Sequence, residues 1–365
     1  FIYLQMNKIR EMRIFLKVLF LVVAFVSCSK HQDFVVINKS FDNEEWERFE
    51  YLNGNYSVEK RSEELGETPV EMYLEGSDQY RGWFNSSLST GVAMTGKSPY
   101  KICISHGFVL DGNGNKMSKS LGNTVDPQEV CKKYGADILR LWVASTEYTA
   151  DVRIGEQILA QNAEAYRKIR NTFRFLLGNL SDYNNDTDRV PYEKLGEVDQ
   201  YMECSLNQFL ENAYKAYDNY EFSEVYRLTL NYLTNTLSAF YLDFTKDVLY
   251  IESKDDIARR SIQTVFYDNL NALVRLLTPF IPYTTEEVYS FMENISDKKE
   301  SVYLLDMVEV KHFENENELL EKYSKFLSFR TNVLKAIEEA RNNKVIGKSL
   351  SAKLVIKPNE ETKQL

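Results

Sequence analysis

Apolar and polar positions alternate on different scales along the chain. From Ile154 onward apolar residues return at three- and four-residue steps, at Ile158, Leu159, Ala165, Ile169, Phe173, Leu176 and Leu177. That spacing places them on one helical face. The same period predicts helices over about 198–217, 222–249, 256–277 and 320–342. Tyr226, Leu230, Leu233, Leu237, Phe240 and Tyr241 form the stripe of the second, which reads as core rather than a base-stacking surface. Pro279 and Pro282 break the pattern, and Thr284 or Thr285 is expected to cap the next helix with Glu286 and Glu287 in its first turn. Upstream, between 72 and 152, apolar runs are short and punctuated. Met72-Tyr73-Leu74 and residues 100–104 read as strands, each followed by Gly, Ser or Asp turns. A last strand is expected over 353–357.

The first 30 residues follow a third pattern. Lys8, Arg10, Arg13 and Lys17 precede an apolar run from Val18 to Val26, and Ser27-Cys28 follows. This order resembles a bacterial lipoprotein signal, with a buried apolar segment as the alternative. Nine apolar residues fall short of the about 20 that a spanning helix needs. Residues 33–71 are polar and acidic and carry no chemical motif, although Phe34–Ile37 reads as a short strand. The character changes near 66–72.

Composition narrows the class without naming a chemistry. The chain has 365 residues, 44% hydrophobic and 27% charged, an ordinary globular mixture that excludes a disordered or collagen-like chain. A net charge of −10 argues against a uniformly basic surface but leaves room for a local basic stripe. Cys28, Cys103, Cys131 and Cys204 are far apart, and His31, His106 and His312 add no cluster. No zinc-type spacing is present, and reduced, isolated thiols are expected.

The chemistry concentrates between 72 and 152. Glu75-Gly76-Ser77-Asp78-Gln79 follows the first strand, at the strand end where α/β folds hold ligands. Glu75 and Asp78 suit an ammonium group or ribose hydroxyls. The alternative is a turn in which Ser77 or Asp78 caps a helix running through Ser89. Residues 111–115 form a turn that delivers Lys116-Met117-Ser118-Lys119-Ser120. Two lysines with two hydroxyls in a loop make a polyphosphate clamp. Asp126-Pro127 then starts a helix, with Asp as N-cap. Further on, Arg167, Lys168, Arg170 and Arg174 line a basic helix edge. It reads as a grip on RNA phosphates or as a solvated face.

Four strings together carry a family resemblance: Tyr73–Phe84 (YLEGSDQYRGWF), His106-Gly107-Phe108, KMSKS at 116–120, and Gly135–Thr146 (GADILRLWVAST). The chain from about 70 to 365 resembles class I aminoacyl-tRNA synthetases, most narrowly the isoleucyl branch. The fold this implies is a partial α/β, Rossmann-like catalytic half followed by an all-α anticodon-binding bundle. The expected division is 1–71 signal-like and unassigned, 72–153 catalytic, 154–310 helical and 311–365 a C-terminal junction. The implied partners are ATP with Mg2+, isoleucine and tRNA-Ile, in the cytoplasm. A membrane association follows only from the N-terminal signal. By the resemblance, Lys119 and Lys116 steady the pyrophosphate charge, and His106 and Ser118 join them on ATP. Glu75, Gly76, Asp78, Gln79 and Trp83 hold the aminoacyl-adenylate. Arg167, Arg170 and Arg174 are the candidate tRNA contacts.

Several features depart from the family. Tyr80 stands where many members have His, no His-x-Gly-His occurs, and neither an editing insertion nor a Cys-rich zinc tail is present. The expectation is therefore a ligase fragment that forms no adenylate alone, fused to unrelated N-terminal sequence. The alternatives are a tRNA-binding module without ligase activity and a lipoprotein defined by its first 71 residues.

Overall fold

The computed structural model describes residues 49–51, 54–56, 69–292, 298–347 and 352–355. The signal-like stretch and the Phe34–Ile37 run lie outside them. The chain divides into two compact units. One holds the residues up to Arg167 with 220–226 and 279–284; the other holds the remainder.

The first unit contains the short strands. β1 (Phe49–Tyr51) and β2 (Gly54–Tyr56) pair antiparallel. β3 (Val70–Gly76) and β4 (Tyr100–His106) pair in parallel and are joined through a 3-10 turn (Ser77–Arg81) and helix α1 (Trp83–Thr95). This is a βαβ unit, the connection that parallel strands require. β5 (Val109–Leu110) pairs in parallel with β6 (Val152–Arg153), and α2 (Pro127–Tyr134) and α3 (Ala136–Ser145) lie between them in sequence. The Asp126 carboxylate accepts the Gln128 N–H at 2.8 Å, so the predicted cap is formed. Val130, Leu139, Trp142, Ile154 and Leu159 close one core cluster.

Two expected caps are formed by other residues. Neither Ser77 nor Asp78 caps α1, because the chain tightens into the 3-10 turn and the α-helix begins only at Trp83. Gln79 Oε1 instead accepts the Trp83 N–H at 3.0 Å. Likewise Thr284 and Thr285 lie inside a helix that starts at Pro282. Its cap comes from α3: the buried Asp137 carboxylate accepts the Tyr283 N–H at 3.3 Å, the Thr284 N–H at 2.7 Å and the Thr284 hydroxyl at 2.6 Å. Arg140, one turn along, donates to the carbonyls of Pro279 and Phe280. These bonds hold the proline-rich turn that the sequence reads only as a break.

The helical elements continue with α4 (Glu156–Asn179), α5 (Glu197–Asp218), α6 (Phe222–Asn231), α7 (Lys246–Ile251), α8 (Ile257–Leu277), α9 (Pro282–Phe291) and α10 (Glu316–Asn342). In the second unit Phe173, Met202, Leu210, Leu237, Phe266 and Leu270 are fully buried. The expected single helix over 222–249 is interrupted by a π-helical stretch, Tyr232–Tyr241. Buried hydroxyls anchor that wider turn at both ends. Tyr232 donates to Asn269 Oδ1 at 2.6 Å and Tyr241 to Asp199 Oδ1 at 2.5 Å. Leu233, Leu237, Phe240 and Tyr241 are nonetheless buried, as the stripe requires. Residues 352–355 form no strand, since no described strand pairs with them; 356 and 357 lie outside the described residues. Among the described residues no helix is long and apolar enough to cross a membrane.

Candidate active site

The parallel register of β3 and β4 builds the centre of the site. Glu75 is opposite Ser105 and Gly76 opposite His106, so both pairs sit at the C-terminal ends of adjacent strands. Ligands of open α/β sheets bind there because the loops diverge beyond the last ladder bonds. Gly76 is buried. A Cβ there would come 2.8 Å from Asp78 Oδ1 and 3.8 Å from the His106 ring. Glu75, Gly76, Asp78 and His106 are thus brought together from two strand ends and one turn. Glu75 Oε2 accepts the Gly76 N–H at 3.3 Å. His106 Nδ1 lies 2.8 Å from the Gly107 carbonyl. A carbonyl only accepts, so in that contact Nδ1 carries a proton and donates it.

Three aromatic residues flank this centre. Trp83 stacks on Tyr73 with ring centroids 4.2 Å apart and remains 44% exposed. Gln79 is spent on the Trp83 N–H and also donates to Asp78 Oδ2 at 3.3 Å. The Tyr80 hydroxyl reaches Ser105 Oγ at 2.8 Å, which fixes the turn to the end of β4. Gly107 shows why no side chain follows His106: a Cβ would sit 2.2 Å from the Ala150 carbonyl carbon.

The lysine loop leaves β5 through an isolated bridge between Leu110 and Lys116. Lys116 and Lys119 are both exposed, and among the described residues neither has an ion-pair partner. Ser118 Oγ lies 3.2 Å from Ser120 Oγ and accepts the Leu121 N–H at 3.3 Å. Asn123 reaches back to accept the Ser118 N–H at 2.9 Å and donates to Asp111 Oδ2 at 2.9 Å. Asp111 also accepts the backbone N–H groups of Asn113 and Asn115. The Asn123 amide, followed by the Asn115 N–H, holds the Asp111 carboxyl below the usual carboxylate range. Met117 of this loop and His106 of β4 line one apolar cavity of about 80 Å3 with Trp142, Tyr148 and Ile154. Burial pushes the Tyr148 hydroxyl up to about 12.

Sequence reading finds the lysines but misses Asp111 and Asn123. The only available signal was an Asp opening a turn of Gly and Asn residues. Arg167, Arg170 and Arg174 are exposed on α4, and Arg167 is paired with Glu164. Arg167 belongs to the first unit; Arg170 and Arg174 belong to the second. Among the described residues no group of three or more His, Cys, Asp or Glu side chains is placed to hold a metal ion. Cys103, Cys131 and Cys204 are free thiols; Cys28 lies outside the described residues.

Residues 41–155 match the model for class I tRNA synthetases (I, L, M and V), and residues 199–356 match the anticodon-binding domain of tRNA ligase. The first match reaches back into the stretch without a motif. The chain is 55% identical over 297 residues to an isoleucine–tRNA ligase of Geobacillus kaustophilus and 56% identical over 297 residues to that of Bacillus subtilis. Each match covers 81% of this chain and 32% of the relative, so the chain spans about a third of their length. Two solved structures share the fold. The Agrobacterium radiobacter LeuRS of a ternary complex has a TM-score of 0.51 at 19% identity, covering 67% of this chain and 29% of that one. The Mycobacterium tuberculosis methionyl-tRNA synthetase has a TM-score of 0.51 at 18% identity, covering 66% and 50%. The class I synthetase match lies over the α/β part of this chain and the anticodon-binding match over the helices that follow it. Residues 41–155 thus belong to the class I tRNA synthetase family and residues 199–356 to its anticodon-binding domain, in a chain homologous to isoleucine–tRNA ligases.

Proposed function

We propose that the chain is the lysine-loop half of an isoleucine–tRNA ligase site together with its tRNA-binding helical part, acting in the cytoplasm. The reaction has two steps. The isoleucine carboxylate attacks the α-phosphate of ATP, forming isoleucyl-adenylate and releasing pyrophosphate. A terminal ribose hydroxyl of tRNA-Ile then attacks the acyl carbon and releases AMP. Positioning and charge stabilisation supply most of the help in phosphoryl transfer. In this reading Lys119 and Lys116 neutralise the departing pyrophosphate, with Ser118 donating to a phosphate oxygen. His106 Nε2 faces the nucleotide. Glu75 receives the α-ammonium at the end of β3, and Asp78 and Gln79 bound the ribose side. Gly76 lets substrate approach the backbone, and Trp83 walls the side-chain pocket. One methylene in such a pocket is worth about 1–3 kcal/mol. Mg2+ enters as part of the nucleotide substrate. Arg167, Arg170 and Arg174 contact tRNA phosphates. Residues 72–153, 154–310 and 311–365 serve as catalytic, helical and junction segments.

The observation that carries this reading is the pairing of Glu75-Gly76 with Ser105-His106 at two parallel strand ends, ahead of a lysine loop. A narrower reading keeps tRNA binding without ligation and rests on the anticodon-binding match over residues 199–356; His-x-Gly-His does not occur within the 365 residues. Two assays separate them. Filter binding with tRNA-Ile and a non-cognate tRNA, across a salt series, is expected to show preference for tRNA-Ile and a steep salt slope. Equal affinity for both tRNAs would sink the isoleucine assignment. Isoleucine-dependent ATP–pyrophosphate exchange by the purified chain is expected to be absent. Exchange above background would instead show that this chain completes adenylation without that motif.

A further inference from the structure

The lysine loop is closed by side chains outside the KMSKS string. We propose that Asn123 and Asp111 are positioning residues that lock the loop in its folded shape, so that Lys116 and Lys119 meet a polyphosphate already placed. The amide of Asn123 uses both of its ends. Its oxygen takes the Ser118 N–H at 2.9 Å, and its nitrogen donates to Asp111 Oδ2 at 2.9 Å and to the Lys116 carbonyl at 3.3 Å. One side chain therefore ties the start of the loop, its middle and the turn before it. Asp111 is itself fixed by the Asn113 and Asn115 N–H groups at 2.9 and 2.8 Å, and its backbone N–H donates to the Asn115 carbonyl at 2.9 Å. Gly122, at φ +65, turns the chain so that Asn123 can fold back, with its N–H on the Lys119 carbonyl at 3.2 Å.

This arrangement spends the loop's inward polar groups on the lock and leaves both ammonium groups without an ion pair among the described residues. Ordering a free backbone costs about 1–2 kcal/mol per residue. A loop ordered before binding does not incur that cost when a polyphosphate arrives, so the benefit appears as affinity. The chemistry also dictates a reciprocal test. Asn123→Asp keeps the acceptor for Ser118 but sets a carboxylate against Asp111. Asp111→Asn keeps an acceptor for the turn but sets an amide N–H2 against the Asn123 amide. Combining them restores the donor–acceptor pair between positions 111 and 123, with the bond to the Lys116 carbonyl the one contact not regained.

The experiment uses the full chain with two readouts. The first is trypsin cleavage after Lys116 and Lys119; the second is affinity for inorganic tripolyphosphate by calorimetry. Circular dichroism checks that each variant is folded. Asn123→Ala and both single exchanges are expected to speed loop cleavage and weaken tripolyphosphate about tenfold, the scale of a lost charge-assisted hydrogen bond. The double variant Asp111→Asn/Asn123→Asp is expected to recover part of both, since the bond from position 123 to the Lys116 carbonyl stays lost. Single variants that cut and bind like the parent, or a double variant no better than the sum of its parts, would overturn the lock. The affinity readout rests on the functional reading above, whereas the cleavage readout does not. A parent chain that ignores tripolyphosphate while the cleavage cycle behaves as expected would therefore sink the functional role and leave the lock standing.

Discussion

Two carboxylates show how differently the two units handle charge. Asp111, in the lysine-loop unit, lies at the surface, and amide donors hold its acidity below the usual carboxylate range. Glu203, in the helical unit, is pushed well above that range by burial, with Asp268 adding repulsion. Local hydrogen bonds favour the charged form of one, and loss of water disfavours the charged form of the other. The same contrast runs through the neighbours. Around the lysine loop Phe108 and Leu121 are 47% and 70% exposed. In the bundle Tyr232 and Tyr241 are fully buried, and burial raises both hydroxyls. The lysine loop turns its two ammonium groups outward, whereas the bundle uses buried tyrosine hydroxyls to hold itself together.

The largest expected effect tests the second half of that contrast. Phe266 is fully buried, with its ring 6.0 Å from Phe175 and 5.9 Å from Tyr241. Truncation by Phe266→Ala removes these contacts and leaves a cavity that rigid neighbours cannot refill. A stability loss of about 3–5 kcal/mol is expected in urea denaturation. A loss below about 1 kcal/mol would mean that the bundle is not packed as a core, and the contrast would collapse.

Glu203 gives a smaller effect with a defined sign. Its Oε1 has no hydrogen-bond partner, and Asp268, Arg189, Lys311 and Asp199 supply the surrounding charges. Because the folded-state pKa is raised, the native state holds the proton longer than the unfolded chain does. The carboxyl costs no stability below its unfolded pKa. As pH rises from there toward the folded pKa, stability falls by up to about 1.4 kcal/mol per pH unit. Glu203→Gln removes the titration. Its stability relative to the parent is expected to rise as pH is raised above the unfolded carboxylate value, read as urea midpoints. A difference that does not vary with pH would place Glu203 in contact with water.

What the sequence made legible follows the same divide. The long helices show because a 3.6-residue period repeats for about six or seven turns, as in α8 and α4. β3 and β4 show as short apolar runs between turns. Features set by distant partners do not show. Asp137 caps a helix 146 residues further on, so nothing near Pro282 announces it. β6 is two residues long and exists through its pairing with Val109 and Leu110. The π-helical turn depends on Asn269 and Asp199, which belong to other helices. At the candidate site the lysines are visible as a string, while the Asn123–Asp111 bond joins residues 12 apart that each look like ordinary turn formers.

Lys119 is expected to give the smallest change in stability, and that near-zero value makes it informative. Its side chain is exposed and without an ion pair among the described residues, and its carbonyl keeps the Gly122 N–H whatever side chain it bears. Lys119→Ala should therefore shift stability by no more than about 0.5 kcal/mol, as surface changes away from special features do. Tripolyphosphate binding should weaken by about fivefold, since one charge contact at 4 Å in water is worth about 1 kcal/mol. High salt should shrink that difference, because the lysine acts through a screened surface field. A variant that lost stability instead would show that Lys119 is already engaged within the fold. The lysine-loop unit would then resemble the bundle, with its charge committed to structure rather than held for a ligand.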